Sequence, residues 1–228
     1  MVALGVDDQG RKHPLGLWEG TTENAAVCRS LVGSLIDRGL PAEKAMLFVT
    51  DGGKAIRTVI RETWGELALH QRCRHHKLEN ITGHLPKRER VFVARKVRAA
   101  WALGDAAAAE RELRGIAHHL ESAHPGAAAS ILEGLEETLT VTRLGLPPSL
   151  CRTFKTTNPI ESMISIARDA TRNVKRWRDG RMALRWIAAG MLQAEQQFRK
   201  VDGYRELHVL RRALERHQEV IEGGKKVA

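Results

Sequence analysis

The chain has 228 residues, 43% of them apolar, which is enough for a packed core and excludes wholesale disorder. Lys and Arg number 37 against 27 Asp and Glu, a net charge of +10, so polyanions are the natural partners. No run approaches the ~18 apolar residues of a membrane span, Val2–Val6 followed by two aspartates is not a secretory signal, and Cys28, Cys73 and Cys151 are too scattered for a disulfide framework, which suits a reducing cytoplasm.

In chain order, residues 2–6 read as a short strand, Asp7-Asp8-Gln9-Gly10-Arg11 as turn chemistry, and residues 14–19 as the second arm of a hairpin. Thr21 or Thr22 is the expected cap of a helix that carries Val27, Leu31 and Leu35 on one side and stops at Gly39. Residues 45–50 (AMLFVT) form a continuous apolar run, the pattern of a buried strand, ended by Asp51-Gly52-Gly53. A helix over 54–64 and a strand over 66–71 follow. This order predicts an α/β fold with a mixed sheet covered by helices.

From 88 to 139 the chain is rich in Ala, Glu, Arg and Leu, and Gly104 and His124-Pro125-Gly126 divide it into three helices. Residues 141–157, with Pro147-Pro148, read as a connector. Helices are expected over 159–171, 182–198 and 204–220, with Gly223-Gly224-Lys225-Lys226 as a frayed tail.

The basic excess is uneven. Residues 1–150 hold 20 basic and 18 acidic side chains, whereas residues 151–228 hold 17 and 9. A local cluster from Arg72 to Arg98 sets nine basic residues against Glu79 and Glu89. Such stripes suit phosphate neutralisation, and equally a solvated surface.

Asp51 stands at the end of the buried strand. Ligands of open α/β sheets bind there, and a carboxylate suits Mg²⁺, but Asp51 could also cap the next helix. Glu161 follows Asn158-Pro159, a cap and first helical residue, so it either completes a capping box or offers a carboxylate on a first helical turn. Cys73-Arg74-His75-His76, with His70 nearby, invites zinc, yet no second pair of ligands follows, and packing explains it more simply. Asp7 and Asp8 fit a turn better than a metal.

Taken together these segments resemble the catalytic region of a mutator-type bacterial insertion-sequence transposase, of the Asp-Asp-Glu class with a ribonuclease-H-like core. The landmarks run in order: Leu15-Gly16-Leu17-Trp18-Glu19-Gly20, Asp51-Gly52-Gly53-Lys54-Ala55, Arg72-Cys73 with His76-Lys77 and Asn80, Thr156-Thr157-Asn158-Pro159-Ile160-Glu161-Ser162, and Asn173-Val174-Lys175-Arg176-Trp177-Arg178. The resemblance implies that Asp51 and Glu161 are catalytic carboxylates that hold metal. It makes Cys73, His76 and Asn158 family signature residues. Glu79 departs from it, standing where a basic residue is expected.

The implied cofactor is a pair of Mg²⁺ or Mn²⁺ ions, serving hydrolysis at the element's ends and then strand transfer into target DNA. The implied partner is double-stranded DNA, with a homo-oligomer assembled on it, no membrane, and a cytoplasmic location associated with the nucleoid. Lys175, Arg176, Arg178, Arg181 and Arg185 would hold the DNA backbone, and Trp177 would pack or stack. The expected organisation is residues 1–85 as the first part of the core, 86–145 as a helical insertion, 146–220 as the helical part bearing Glu161, and 221–228 as a tail.

The family's first catalytic aspartate and first strand lie upstream of Met1 by this resemblance. The chain is therefore expected to be a C-terminal fragment and inactive alone, with a gap or makeshift pairing between residues 2–6 and 45–50. The alternative is a non-catalytic remnant that binds DNA or transposase.

Overall fold

The computed structural model describes residues 1–19, 24–172 and 179–225. In chain order the elements begin with strands β1 (Val2–Val6) and β2 (Lys12–Leu17), helix α1 (Ala25–Asp37), strand β3 (Met46–Thr50), helix α2 (Lys54–Trp64) and strand β4 (Ala68–Arg72). Helices α3 (Arg74–Gly83), α4 (Lys87–Trp101), α5 (Ala106–Glu121), α6 (Pro125–Leu132), α7 (Thr140–Arg143) and α8 (Pro148–Phe154) follow. The last three are α9 (Asn158–Thr171), α10 (Gly180–Gln197) and α11 (Leu207–Lys225). The α/β class expected from the sequence holds. Among the described residues the four strands form two two-stranded sheets, β1-β2 and β3-β4, in place of the one mixed sheet expected.

The described residues divide into two compact units, one made of those within 1–46, 53–68 and 157–225, the other of residues 47–52 and 69–156. In the first, β1 and β2 pair antiparallel from Val2↔Leu17 to Val6↔Lys12, with a register shift between Ala3 and Leu4. Pro14 pairs opposite Leu4 beside that shift, a position that tolerates a residue without an N–H. The turn is built by Asp7, whose Oδ1 accepts from the amides of Gln9 (3.0 Å) and Arg11 (2.7 Å). Its role is therefore the turn chemistry read from the sequence.

The cap of α1 is Asn24, accepting from the Val27 amide at 2.9 Å, which corrects the expectation of Thr21 or Thr22, both outside the described residues. The core of this unit joins Met163 and Ala167 of α9 to Met191 and Ala194 of α10, with Val2, Leu4 and Leu17 of the hairpin against them. Gly190 permits the crossing, since a Cβ there would come within 3.0–3.2 Å of Ala167.

The second unit has its core among α3 to α6 and the turn that follows α6: Leu78, Ile81, Val93, Val97, Trp101, Leu113, Ile131 and Leu139. The three helices expected between 88 and 139 are α4, α5 and α6, broken where Gly104 and His124 stand. Two expectations need correction, and one helix, α3, is additional to those expected. The connector over 141–157 is largely helical, because Pro148 opens α8 at a position that needs no N–H. Residues 74–83 form α3, which a charged, His-rich sequence concealed. The last helix continues through Gly223 and Gly224 to Lys225, where a frayed tail was expected.

Candidate functional site

In the second unit, β3 ends at Thr50 and β4 at Arg72, and the two ends lie together. The Cys73 amide donates to the Thr50 carbonyl at 2.7 Å, and Thr50 Oγ1 stands 2.7 Å from His70 Nε2. Asp51 follows Thr50 directly and is exposed. The cap residue of α2 is Gly53, which has no side chain of its own to offer that end. Between them Gly52 takes φ +103°, which a residue with a Cβ adopts only under strain. The same glycine leaves room for the Arg72 guanidinium, which a Cβ would overlap. The strand-end turn that presents Asp51 therefore needs glycine for two reasons, backbone conformation and the close approach of Arg72.

Arg72 is held from its other side. Its Nη1 lies 2.8 Å from Glu133 Oε2 and donates to the Glu133 carbonyl at 3.3 Å. Lys77, 1% exposed, shares the same carboxylate at 3.1 Å and also donates to the Glu133 carbonyl. Burial, reinforced by the neighbouring Arg72 charge, holds the Lys77 ammonium below its ordinary range. Burial acts to raise Glu133, yet hydrogen bonds from Lys77 and Arg72 leave it below the usual carboxylate range.

Arg74 is buried among neutral acceptors: its Nε donates to the Thr138 carbonyl (2.8 Å), Nη1 to the Trp101 carbonyl (3.0 Å) and Nη2 to Thr142 Oγ1 (2.8 Å). Burial lowers its guanidinium to about 10. Gln71, fully buried, donates to the carbonyls of Arg72 (2.7 Å) and Thr138 (3.1 Å) and accepts from the Val141 amide (3.0 Å). These side chains lace β4 and α3 to residues 133–142. The basic cluster read from Arg72 to Arg98 thus splits. Arg72, Arg74 and Lys77 face inward as structural cations, and only its later members remain on the surface. The sequence carried no signal of this, because these acceptors lie between 27 and 68 residues further on.

Cys73 stands between β4 and α3, at the cap position of the helix, and is completely buried, and His76 lies on the first turn of α3 with a ring nitrogen within 4.8 Å of the Cys73 Sγ. The other histidines of this stretch are engaged elsewhere. His70 bonds Thr50 and faces Glu137 at 3.4 Å, and His75 pairs with Glu79 at 3.4 Å. A four-ligand zinc site from this segment alone is not formed.

In the first unit, Glu161 lies on the first turn of α9 and is exposed. The cap is Thr157, one residue earlier than expected, and Asn158 and Pro159 are the first helical residues. The Thr157 hydroxyl donates to Glu161 Oε1 at 2.7 Å, which orients the carboxylate. Of the residues expected to hold DNA, Arg181 and Arg185 are exposed one turn apart on α10, whereas Lys175, Arg176, Trp177 and Arg178 lie outside the described residues. No helix among the described residues is long and apolar enough to cross a membrane.

Residues 1–201 match the family model "Transposase, Mutator family". A "Probable transposase for insertion sequence element" of Corynebacterium diphtheriae is 29% identical over 75% of this chain and 49% of its own length. The transposase for insertion sequence element IS6120 of Mycolicibacterium smegmatis is 27% identical, covering 77% and 53%. That for ISRM5 of Rhizobium meliloti (strain 1021) is 25% identical, covering 92% and 52%. The chain spans about half the length of the curated relatives it matches. A family match over residues 1–201, carried through both strand hairpin and helices and accompanied by these relatives, establishes that the chain belongs to the Mutator family of transposases.

Proposed function

We propose that this chain contributes to metal-dependent cleavage of DNA phosphodiesters at insertion-sequence ends and to transfer of the freed strand into target DNA, with Asp51 and Glu161 as metal-holding carboxylates. The observation that carries the reading is the setting of Asp51: an exposed carboxylate on a glycine turn at the end of β3, adjacent to the end of β4. Two exposed carboxylates offer the hard oxygen donors that Mg²⁺ and Mn²⁺ prefer. When bound, a pair of such ions supplies the positive charge that activates an attacking oxygen and stabilises a leaving one.

The chain's own residues have separable tasks in this reading. Gly52 and Arg72 fix the direction of the Asp51 backbone, and the Thr157 hydroxyl orients the Glu161 carboxylate. Arg181 and Arg185 hold phosphates by charge, which positions a duplex without reading its bases. Two carboxylates are fewer than the three that the resemblance implies. The third is proposed to come from another part of the whole protein, with assembly as a homo-oligomer on DNA, and the chain by itself is proposed to be inactive.

Titration of Mn²⁺ into the chain, read by calorimetry, tests the assignment. Binding that weakens at least tenfold in both Asp51→Asn and Glu161→Gln, with unchanged melting, supports both carboxylates as metal ligands. Binding indifferent to both substitutions overturns it. Labelled element ends incubated with the chain and Mg²⁺ should stay intact. Nicking that vanishes in Asp51→Ala would support the metal role of Asp51 and overturn the proposed inactivity of the chain alone.

A further inference from the structure

We infer that the outer face of α4 is a second DNA-backbone surface, formed by Lys87, Arg88, Arg95, Lys96 and Arg98 around Phe92; this rests on the reading of the chain as a DNA-acting protein.

The argument starts from helical geometry. At about 100° per residue, Val93, Ala94, Val97, Ala100 and Trp101 share one half of α4. All five are buried, and they anchor that half in the core of the second unit. Arg88, Arg95, Lys96, Arg98 and Phe92 fall on the opposite half, with Lys87 at its edge, and every one of them is exposed. The one acid of the helix, Glu89, lies toward the edge of that face, bound to His124 at 2.8 Å and to Arg88 at 3.4 Å. No carboxylate among the described residues pairs with Lys87, Arg95, Lys96 or Arg98.

A run of solvated charge is common on helices, and two features distinguish this one. First, the cluster that the sequence presents as continuous is sorted by the fold. Its cations Arg72, Arg74 and Lys77 are buried and satisfied internally, whereas Lys87, Arg95, Lys96 and Arg98 of α4 are exposed and pair with no carboxylate among the described residues. Arg90 marks the boundary, turning back to donate to the Leu85 carbonyl at 2.9 Å. Second, Phe92 is 50% exposed, a poor use of an aromatic side chain unless it serves its neighbours. Lys96 Nζ lies 4.7 Å from its ring centroid and the Arg95 guanidinium 5.7 Å. Cation–π contacts of this kind hold both long side chains over one spot and lessen the entropy lost when they engage phosphates.

The dimensions suit a duplex. From Lys87 to Arg98 the helix rises about 16 Å. Over that length a duplex presents about ten phosphate charges, counting both strands. A face of cations without acids matches that density by charge alone and carries no base-reading pattern. It should bind without sequence preference.

The test is a titration of the chain against a mixed-sequence duplex at several salt concentrations, read by fluorescence anisotropy. The triple variant R95Q/K96Q/R98Q should lose affinity at least tenfold at low salt. The slope of log affinity against log salt should fall by about 2–3, near 0.9 per phosphate contact removed. The charge-keeping variant R95K/R98K should retain the slope. The pair K87Q/R88Q, on the first turn, should lower it by about 1–2 and serves if the triple variant melts early.

A triple variant with the wild-type slope overturns the inference. If R181Q/R185Q alone then lowers the slope, the DNA surface is on α10 and the proposed function still stands. A wild-type chain that binds no duplex overturns both. Equal displacement of the DNA by polyglutamate at matched charge concentration would mark the face as one for acidic proteins and would also overturn the inference.

Discussion

The Arg72 guanidinium occupies the space above Gly52 that any side chain at that position would need. The contact couples the strand-end turn carrying Asp51 to Glu133 and Lys77 through one buried arginine. Gly52→Ala should therefore suffer twice, from a φ of +103° and from overlap with Arg72. A loss of about 2–4 kcal/mol in urea unfolding is expected, with strain and overpacking each contributing about 1–3 kcal/mol. A variant as stable as the parent would mean that the turn relaxes freely and does not fix Asp51.

Arg74 should be structural despite its place in a basic stretch. Arg74→Met leaves the Trp101 and Thr142 acceptors without their guanidinium donors and removes one of two donors from the Thr138 carbonyl. A buried acceptor without its donor costs about 1–3 kcal/mol, partly offset here by no longer burying a charge. The net expectation is about 2–4 kcal/mol of lost stability with unchanged salt dependence of DNA binding. A stable variant with weakened DNA binding would reassign Arg74 to the surface set.

The hairpin is tied to α10 by a titrating group. His13 lies 3.2 Å from Asp7 Oδ2 and 2.9 Å from Glu195 Oε1, both ring nitrogens donating when the ring is protonated. The bonds to Asp7 and then Glu195 raise His13 above its usual 6.5. Burial works to raise Asp7, but bonds from Arg11, His13 and Gln9 hold it far below its usual 3.8.

The raised His13 contributes stability that is complete below about 6.5 and is lost as pH rises through its higher folded value. The lowered Asp7 contributes stability present above about 3.8 and is lost as pH falls through its folded value. Melting temperature should thus be level from about pH 4 to 6.5, as far as this site governs it, and fall above that range. His13→Gln should flatten the alkaline fall. Parallel curves for parent and variant between pH 6 and 9 would exclude the linkage.

The thiols should be slow to react in the native protein. Cys28 and Cys73 are fully buried. Cys151 is half-buried, its Sγ donates to the Leu146 carbonyl at 3.2 Å, and burial pushes its thiol above the ordinary range. Iodoacetamide labelling followed by mass spectrometry should give little modification until denaturant is added. Rapid native labelling of Cys73 would mean that the end of β4 opens readily, contrary to its buried hydrogen bonding.

The order of the strands and of most of the longer helices was legible from residue pattern alone, because apolar periodicity and breaker residues act locally. The AMLFVT run with its two glycines marked β3 and placed Asp51 at a strand end, and Asn158-Pro159 marked the start of α9 within one residue and so placed Glu161 on its first turn. Gly104 and His124-Pro125 likewise marked the breaks between α4, α5 and α6.

The roles of the basic residues were decided only by tertiary structure. Arg72, Arg74 and Lys77 read as surface charge because nothing near them in sequence neutralises them; their partners, Glu133, Thr138 and Thr142, arrive from the far side of three helices. The same distance hid α3, whose inward face is half cationic and so lacks the apolar stripe by which a helix is recognised. A side chain's periodicity is set by its neighbours in the chain. Its burial is set by which acceptors the fold brings to it, and for these cations that information lies sixty residues away.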